Sequence, residues 1–354
     1  MKEKLLYYSK QIISYAKKYN YNYGHNNMAY HALETIESIK GRTDPKLLGE
    51  AMDYAMDVLG WSGYAPWLQA YTAMSSEFRE GWLPENYFGT VIVPKLQNDV
   101  GKTSFLKPLS KKLFNSSVFP DVGYFVNGSF YSKYYKPIMV SHVTEYLFKD
   151  SDRIVFKSNN SAQGMGVSVF TKNDFNYFKI KTLGDGVFQT YITPHAFFNA
   201  IMPNSVSTLR ILTVLDQEGK ASVRAVYLRV GRTQDSHVKS STQISIPVHL
   251  ETGALHALGY SKSWYTLDQH PDTGFVFKDQ KIPYFSSFIK TARDLQQAMP
   301  FVKCIGWDMV LDCDNAIQVM QWNGFHTGIG FAEFTQGPCF KGLGWENLWK
   351  EKII

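Results

Sequence analysis

Asp308, Gln321 and Asn323 are three oxygen-bearing side chains set among Ile, Val, Met and Trp, on two short strands joined by a polar turn. Side chains alternate along a strand with period two, so Asp308, Val310 and Asp312 share a face. Asp314-Asn315 suits a two-residue hairpin turn, because both residues tolerate the left-handed backbone such turns need. A turn there pairs Cys313 with Ala316, and counting back along the ladder sets Asp308 opposite Gln321, with Asn323 its diagonal neighbour. Converging oxygens of this kind suit a hard divalent cation such as magnesium, which takes few protein ligands and completes its shell with phosphate oxygens. Taken alone, the same residues also describe an ordinary exposed hairpin face.

Three further segments carry chemistry-bearing residues. In Arg153–Gly166 a strand delivers Lys157 to a loop of small polar residues that includes Ser161, Gly164 and Gly166. Backbone N–H groups of such a loop can gather around phosphate oxygens, and the lysine adds a point charge. A long hairpin loop that needs glycines to turn is the competing reading. Arg210 opens a strand otherwise made of Leu, Ile and Val, and Arg229 sits on its expected partner strand. Each must meet an anion, either a structural carboxylate or a ligand phosphate. Val187–Ile192, with Gln189, Tyr191 and Ile192 and His195 just beyond, could line a flat aromatic base or be a plain core strand. Gly101-Lys102-Thr103 ends like a P-loop, but Leu96 stands where its first glycine belongs.

The elements that must position these residues follow from periodicity. Residues 1–80 read as helices: apolar spacing over Ala29–Ile39, Leu47–Leu59 and Trp67–Phe78 has the three-to-four period, with stops at Gly41 and Gly60. Met1–Asn20 sets Leu5, Leu6, Ile12, Ile13 and Ala16 against five lysines. An ordinary helix packed on the body is expected there, with an acidic membrane surface as the other reading. Val91-Ile92-Val93 is expected as a short strand before a Lys-rich segment, 102–115. Val122–Val126, a turn at Asn127-Gly128 and Ser129–Tyr131 form a hairpin. After a helix over Met139–Phe148 come strands at Arg153–Lys157, Gly166–Phe170, Val187–Ile192, Thr208–Leu215, Ser222–Val230 and Gln243–Leu250. A helix, Tyr284–Ala298, precedes the hairpin at 305–323. Helices followed by mostly antiparallel strands mean an α+β fold rather than a doubly wound parallel sheet.

Composition narrows the function class. The chain has 354 residues, 44 % hydrophobic and 19 % charged, enough for two or three subdomains and a sizeable core. Aromatics reach 15 % but are not interleaved with Lys and Arg in one block, and the net charge of +6 is diffuse. That suits a cleft for an anionic ligand and argues against nucleic-acid binding. Three cysteines without metal-ligand spacing give no disulfide framework and fit a reducing, cytoplasmic setting. No apolar run approaches the length of a membrane span.

In their order along the chain these segments resemble the ATP-grasp superfamily, and more closely the sugar-transfer-associated ATP-grasp family. Phe78-Arg-Glu-Gly81-Trp82-Leu-Pro84-Glu-Asn-Tyr87-Phe88 resembles that family's Gly-Trp-Ile/Leu-Pro segment. Lys111-Lys112 ahead of Phe119-Pro120-Asp121 resembles the first nucleotide-binding lysine, with Lys112 at the better spacing. Arg153–Gly166 is similar to the second lysine and its glycine-rich lid, and Phe188–Ile192 with His195 to the adenine and ribose strand. Ser205-Val-Ser-Thr-Leu-Arg210 is close to the family's Ser-Val-Asn-Thr-Leu-Arg element, with Ser207 in place of Asn. Gly306-Trp-Asp308 and Gln321-Trp-Asn323 resemble its magnesium hairpin. Two departures stand out. Gln321 replaces a usual Glu, and the stretch Asp235–Gln243 lacks the glycine pair of a loop expected near the acceptor.

The resemblance implies an N-terminal helical region (1–90) and a linker with a lid subdomain (91–190). A C-terminal subdomain carrying the magnesium hairpin (191–354) follows. It implies an ATP-dependent, ADP-forming carboxylate–amine ligase that works through an acyl phosphate, with ATP and Mg²⁺ as cofactors. Its substrates would be a small carboxylate and an amine, such as a sugar acid and an amino acid, in surface polysaccharide or glycoconjugate assembly. Lys112, Lys157, Ser161, Gly164, Gly166, Gln189, Tyr191, Ile192 and His195 would bind nucleotide. Arg210 and Arg229 would face the reacting groups, and Asp308, Gln321 and Asn323 would hold metal. Two alternatives share that nucleotide site: a phosphotransferase acting on a hydroxyl, and a nucleotide- or glycan-binding protein with a degenerate metal site.

Overall fold

A computed structural model describes residues 2–159, 161, 166–203, 206–233 and 242–351. The chain divides into two compact units. The first comprises residues 1–98, 263–265 and 328–354, and the second 99–262 and 266–327.

The first unit is helical: α1 (Lys2–Lys40), α2 (Pro45–Asp57), α3 (Ala65–Ser75), a π-helical stretch Phe88–Gln97 and a short helix Gly330–Gln336. Sequence dictates the boundaries. Asp44 accepts from the Lys46 N–H at 2.9 Å ahead of Pro45, and Gly41 (φ +89°) and Gly60 (φ +79°) take the left-handed turns that end α1 and follow α2. Buried Ala29, Ala32 and Ile36 of α1 belong to the core, and α1 packs on α3. Glu333 fastens the Gly81–Pro84 turn. Its carboxylate accepts from the N–H groups of Leu83 (2.8 Å) and Cys339 (2.7 Å), while Trp82 Nε1 donates to its main-chain oxygen at 3.0 Å.

Two expectations fail in this unit. Val91-Ile92-Val93 is not a strand but lies within Phe88–Gln97, buried at all three positions. A three-residue apolar run has no period that could separate a buried helix from a strand. Gln11–Asn20 does not pack on the body, and all ten side chains are exposed. The cause is length: α1 has 39 residues, about 58 Å at the helical rise, whereas α3 beneath it has 11, about 16 Å. No helix among the described residues is long and apolar enough to cross a membrane.

The second unit holds two antiparallel sheets, so the α+β organisation with helices first holds. One contains β1 (Asp121–Val126), β2 (Ser129–Ser132), β3 (Pro137–Ile138), β4 (Arg153–Ser158), β5 (Val167–Thr171) and β6 (Gly186–Thr190), in the order β3-β2-β1-β6-β4-β5. The other contains β7 (Thr208–Leu215), β8 (Ala221–Val230), β9 (Ile244–Val248), β10 (Gly259–Tyr260), β11 (Thr266–Leu267), β12 (Cys304–Leu311) and β13 (Ile317–Asn323). Its order is β11-β10-β9-β8-β7-β12-β13.

Alternation assigns the faces. In the first sheet Phe125, Ile154, Phe156, Phe170 and Phe188 form the core, which turns Lys157 and Gln189 to the other face. In the second, Leu209, Ile211, Val226, Leu228, Trp307 and Met309 join Phe288, Ala292 and Leu295 of the helix Phe285–Gln297. Arg210, Arg229 and Asp308 therefore share the opposite face.

The closing hairpin corrects the turn expectation. Asp312, not Cys313, opposes Ala316, with its N–H donating to the Ala316 oxygen at 3.0 Å, so the loop has three residues, with Asn315 at φ +63°. A bulge at Met320 then restores the count, and Asp308 does pair with Gln321.

Candidate functional site

Lys157 lies on β4, one strand in from the sheet edge between β5 and β6, and is 6 % exposed. Its Nζ donates to the Met320 oxygen of the other sheet at 3.0 Å. Beside it stands Lys107, from a single 3₁₀ turn, Lys107–Leu109. Its Nζ donates to the Ser158 oxygen (2.8 Å), the Ser161 oxygen (3.1 Å) and Ser161 Oγ (3.1 Å). Burial pushes both ammonium groups down to about 8, and the Lys107 charge adds to the effect on Lys157, against the pull of Asp308 and Asp121. Neither has a carboxylate at ion-pair distance among the described residues. Ser161 is thus placed on Lys107. Gly166 (φ +81°) is required, since a Cβ there would sit 2.6 Å from that of Ser161. Gly164 lies outside the described residues.

Gln189 of β6 pairs with Asp121 and Val155 of the flanking strands. Its Nε2 donates to Asp121 Oδ1 at 2.9 Å, and its Oε1 is buried with no partner. Tyr124 donates to Asp121 Oδ2 at 3.2 Å and stacks on Tyr135, with ring centroids 4.9 Å apart. Burial raises the Asp121 carboxyl, and the Gln189 hydrogen bond opposes that shift. Lys112 is exposed, with its Nζ over the Tyr135 ring at 5.5 Å. Tyr191 lies under the Arg153 guanidinium at 4.0 Å, and Ile192 is buried. His195 Nδ1 accepts from the Phe197 N–H at 3.1 Å, capping the short helix Ala196–Ile201.

Tyr191 and Ile192 line a cleft of about 620 Å³ together with Lys111, Asp121 and Asp312. Lys107, Gln189 and Gln321 line a separate space of only about 10 Å³. That volume admits no more than about one water-sized sphere.

Asp308 is the centre of the other sheet's polar face. Its Cα partners are Arg210 on β7 and Gln321 on β13. Arg210 Nε lies 2.6 Å from Oδ1 and donates from Nη2 to Oδ2 at 3.3 Å, while its Nη1 donates to the Thr327 oxygen at 2.6 Å. Arg229 Nη2 also lies 2.6 Å from Oδ1. Burial works against the carboxylate charge, but the two guanidinium groups outweigh it and hold Asp308 at about 2. Asn323 Nδ2 donates to the Gly306 oxygen (3.0 Å) and Asp308 Oδ2 (3.4 Å), and Gln321 Nε2 donates to Asn323 Oδ1 (3.1 Å).

The three expected metal ligands therefore converge, and all offer oxygen, as a hard cation needs. They supply one negative charge, already engaged by two arginines, and no group of three or more His, Cys, Asp or Glu among the described residues could hold a metal. This donor set fits an ion delivered with a polyphosphate rather than one resident in the protein. A polyphosphate also fits two buried lysines that have no carboxylate at ion-pair distance among the described residues, whereas the orphaned Gln189 Oε1 needs a hydrogen-bond donor.

Lys107, Asp121 and Tyr124 were not legible as site residues. The available signal was Lys107 standing alone between Leu106 and Pro108-Leu109, an apolar setting that the adjacent Lys111-Lys112 pair lacks.

Residues 181–343, just under half of the chain, match the family described as sugar-transfer associated ATP-grasp. The resemblance read from the motif series holds over that stretch, which carries Gln189, both arginines and the hairpin. No curated protein matches the chain. Similar solved structures include the ADP complex of purK, an N5-carboxyaminoimidazole ribonucleotide synthetase. It is 12 % identical, with 62 % of this chain and 45 % of that one covered, at a TM-score of 0.38. The ATP-grasp ligase PsnB with a minimal precursor is 10 % identical over 73 % of this chain and 64 % of its own, at 0.41. A biotin carboxylase from Campylobacter jejuni is 10 % identical over 92 % and 69 %, at 0.45. The chain spans about half the length of the first of these relatives. Likenesses this distant describe the neighbours and not this chain's activity.

Proposed function

We propose that this chain is an ATP-dependent, ADP-forming ligase that joins a carboxylate to an amine through an acyl phosphate. The observation that carries the reading is an excess of enclosed positive charge: Lys107, Lys157 and Arg210 are buried and Arg229 is half-buried, against two buried carboxylates, Asp308, which holds both arginines, and Asp121. Such an excess of buried positive charge is costly without an anionic ligand. Arg210, Arg229 and Asp308 lie on strands inside the stretch matched to the ATP-grasp family.

In this reading Lys107 and Lys157 hold the phosphates, with Lys107 taking the place expected for Lys112. Gln189 Oε1 accepts from the base or ribose, and Tyr191 and Ile192 line its slot. Arg210 and Arg229 release part of Asp308 and neutralise the transferred phosphoryl group or the acceptor carboxylate. Phosphoryl transfer depends on such charge neutralisation and in-line alignment rather than on covalent help from the protein. The carboxylate oxygen attacks the γ-phosphorus as the bond to the bridging oxygen breaks and ADP leaves. The amine then attacks the acyl carbon and expels phosphate. Asp308, Gln321 and Asn323 would hold magnesium, which when bound would offset the negative charge of the phosphates. The loop 158–166, of which residues 160 and 162–165 lie outside the described residues, is proposed to shield the acyl phosphate from water. A sugar acid and an amino acid are the proposed substrate class, in surface polysaccharide assembly.

A second reading is nucleotide binding without turnover, favoured by Gln321 in place of a carboxylate and by the closed ion-pair set on Asp308. ADP release measured against a panel of sugar acids and amino acids, with mass spectrometry of the products, separates the two. Amide formation that requires both substrates supports the ligase, and ATP binding with no carboxylate-dependent ADP would sink it. Lys107→Met should lower ATP affinity by at least about tenfold, while Lys112→Met leaves it within about twofold. An ATP affinity left within about twofold by Lys107→Met would remove Lys107 from the site.

A further inference from the structure

A second cavity, of about 640 Å³, lies wholly within the first unit. Its walls are aromatic: Tyr19 and Tyr23 of α1, Trp61, Tyr64 and Trp349. The Tyr19 and Tyr23 rings lie 6.4 Å apart with planes 13° from parallel, and Trp61 meets Tyr64 edge-on at 4.9 Å. Tyr19, Tyr23, Trp61 and Trp349 are nonetheless exposed, so their outer surfaces are open to an occupant. Bare backbone lets the indoles lie close. A Cβ at Gly60 would stand 2.7 Å from the Trp349 ring, and one at Gly63 would stand 2.3 Å from Trp61. Among the rings is Asn22, 5 % exposed, whose Oδ1 has no hydrogen-bond partner. A buried acceptor left unmade costs about 1–3 kcal/mol, which a donor on an occupant would offset. Lys18, Lys95 and Glu351 also line it.

We propose that this cavity binds a saccharide, at a site separate from the phosphate-facing cluster of the second unit. A pyranose has a face of C–H bonds that packs flat on tyrosine or indole, and a rim of hydroxyls that donate and accept. Flat aromatic walls beside an orphaned amide match that division of surface. An aliphatic chain would cover the rings but leave Asn22 Oδ1 unsatisfied. A quaternary ammonium would suit the rings and Glu351, but it meets two like charges, Lys18 and Lys95, and has no N–H to donate to Asn22 Oδ1.

Saturation-transfer difference NMR on the full chain reads the proposal, with methyl glucoside, methyl glucuronide and N-acetylglucosamine as probes. Saturable transfer, strongest to the C–H protons of one ring face, is expected from at least one sugar. Asn22→Leu should weaken it about tenfold, the equivalent of one buried hydrogen bond, while melting at or above the parent temperature. Tyr23→Ala changes an exposed ring and should also lose the signal without disturbing the core. The thermal shift produced by ADP should be unchanged in both variants, which keeps this test independent of the nucleotide site. No transfer from any of the three sugars, or transfer undiminished in both variants, overturns the proposal.

Discussion

Lys157 is held charged in the protein interior at the expense of stability, and the sign of that expense can be tested. Its folded value of about 8 lies below the ordinary lysine value of 10.5, so the penalty is full below pH 8 and is relieved as pH rises from 8 toward 10.5. Lys157→Met should therefore raise the melting temperature of the ligand-free protein at pH 7, by less at pH 10, and abolish ATP binding. A lower melting temperature at pH 7 would show that the Met320 hydrogen bond outweighs the buried charge. Asp308 has the opposite sign. Its folded value of about 2 lies below 3.8, so its contribution is complete above pH 4 and is lost as pH falls through 2. Asp308→Asn leaves buried Arg210 and half-buried Arg229 without their anion and should cost about 3–5 kcal/mol in chemical denaturation at pH 7. A cost under about 1 kcal/mol would mean that the arginines find other partners. At this scale the sequence was half legible. Lys157, Arg210 and Asp308 announce themselves as charges on apolar strands, whereas Lys107 sits on a single 3₁₀ turn with no periodicity to mark its burial.

Elements decide whether those side chains meet. Asp308 reaches Gln321 because a three-residue loop and the bulge at Met320 shift the register by equal and opposite steps. The pairing could be anticipated, but the route could not, because a bulge leaves no signal in an alternating pattern until its partner strand is known. The segment 91–93 shows the converse, a run whose burial on every side hides its helical period. The loop after β4 depends on Gly166, where the positive φ and the 2.6 Å approach to Ser161 both exclude a side chain. Gly166→Ala should free Ser161 from Lys107 and raise amide exchange at Ser158 and Asn159 about tenfold, with a matching fall in ATP affinity. Unchanged exchange together with weaker ATP binding would place the defect in ligand contact rather than in loop geometry.

For the whole molecule, the order of helices then antiparallel strands was legible from periodicity alone, while the exposed half of α1 was not, since sequence does not state how long its packing partner is. The same limit applies to the metal. Three oxygen ligands can be read from two short motifs, but the arginines that already occupy Asp308 come from strands about 80 and 100 residues upstream by chain count, brought beside it only by the sheet order. That arrangement sets an order of binding. Magnesium alone must displace two guanidinium groups from the only carboxylate of the trio and gains two neutral amides in return. With a polyphosphate, the displaced arginines and the buried lysines find new anions, and phosphate oxygens complete the metal shell. Ligands that bind only the folded state raise its melting temperature by mass action. Magnesium chloride alone should then leave the melting temperature unchanged, ADP alone should raise it, and the two together should raise it further. Above pH 8, as Lys107 and Lys157 lose their charge, the ADP shift should shrink. A full shift from magnesium without nucleotide would instead identify a resident metal site, and an ADP shift independent of pH up to 10 would free both lysines from phosphate contact.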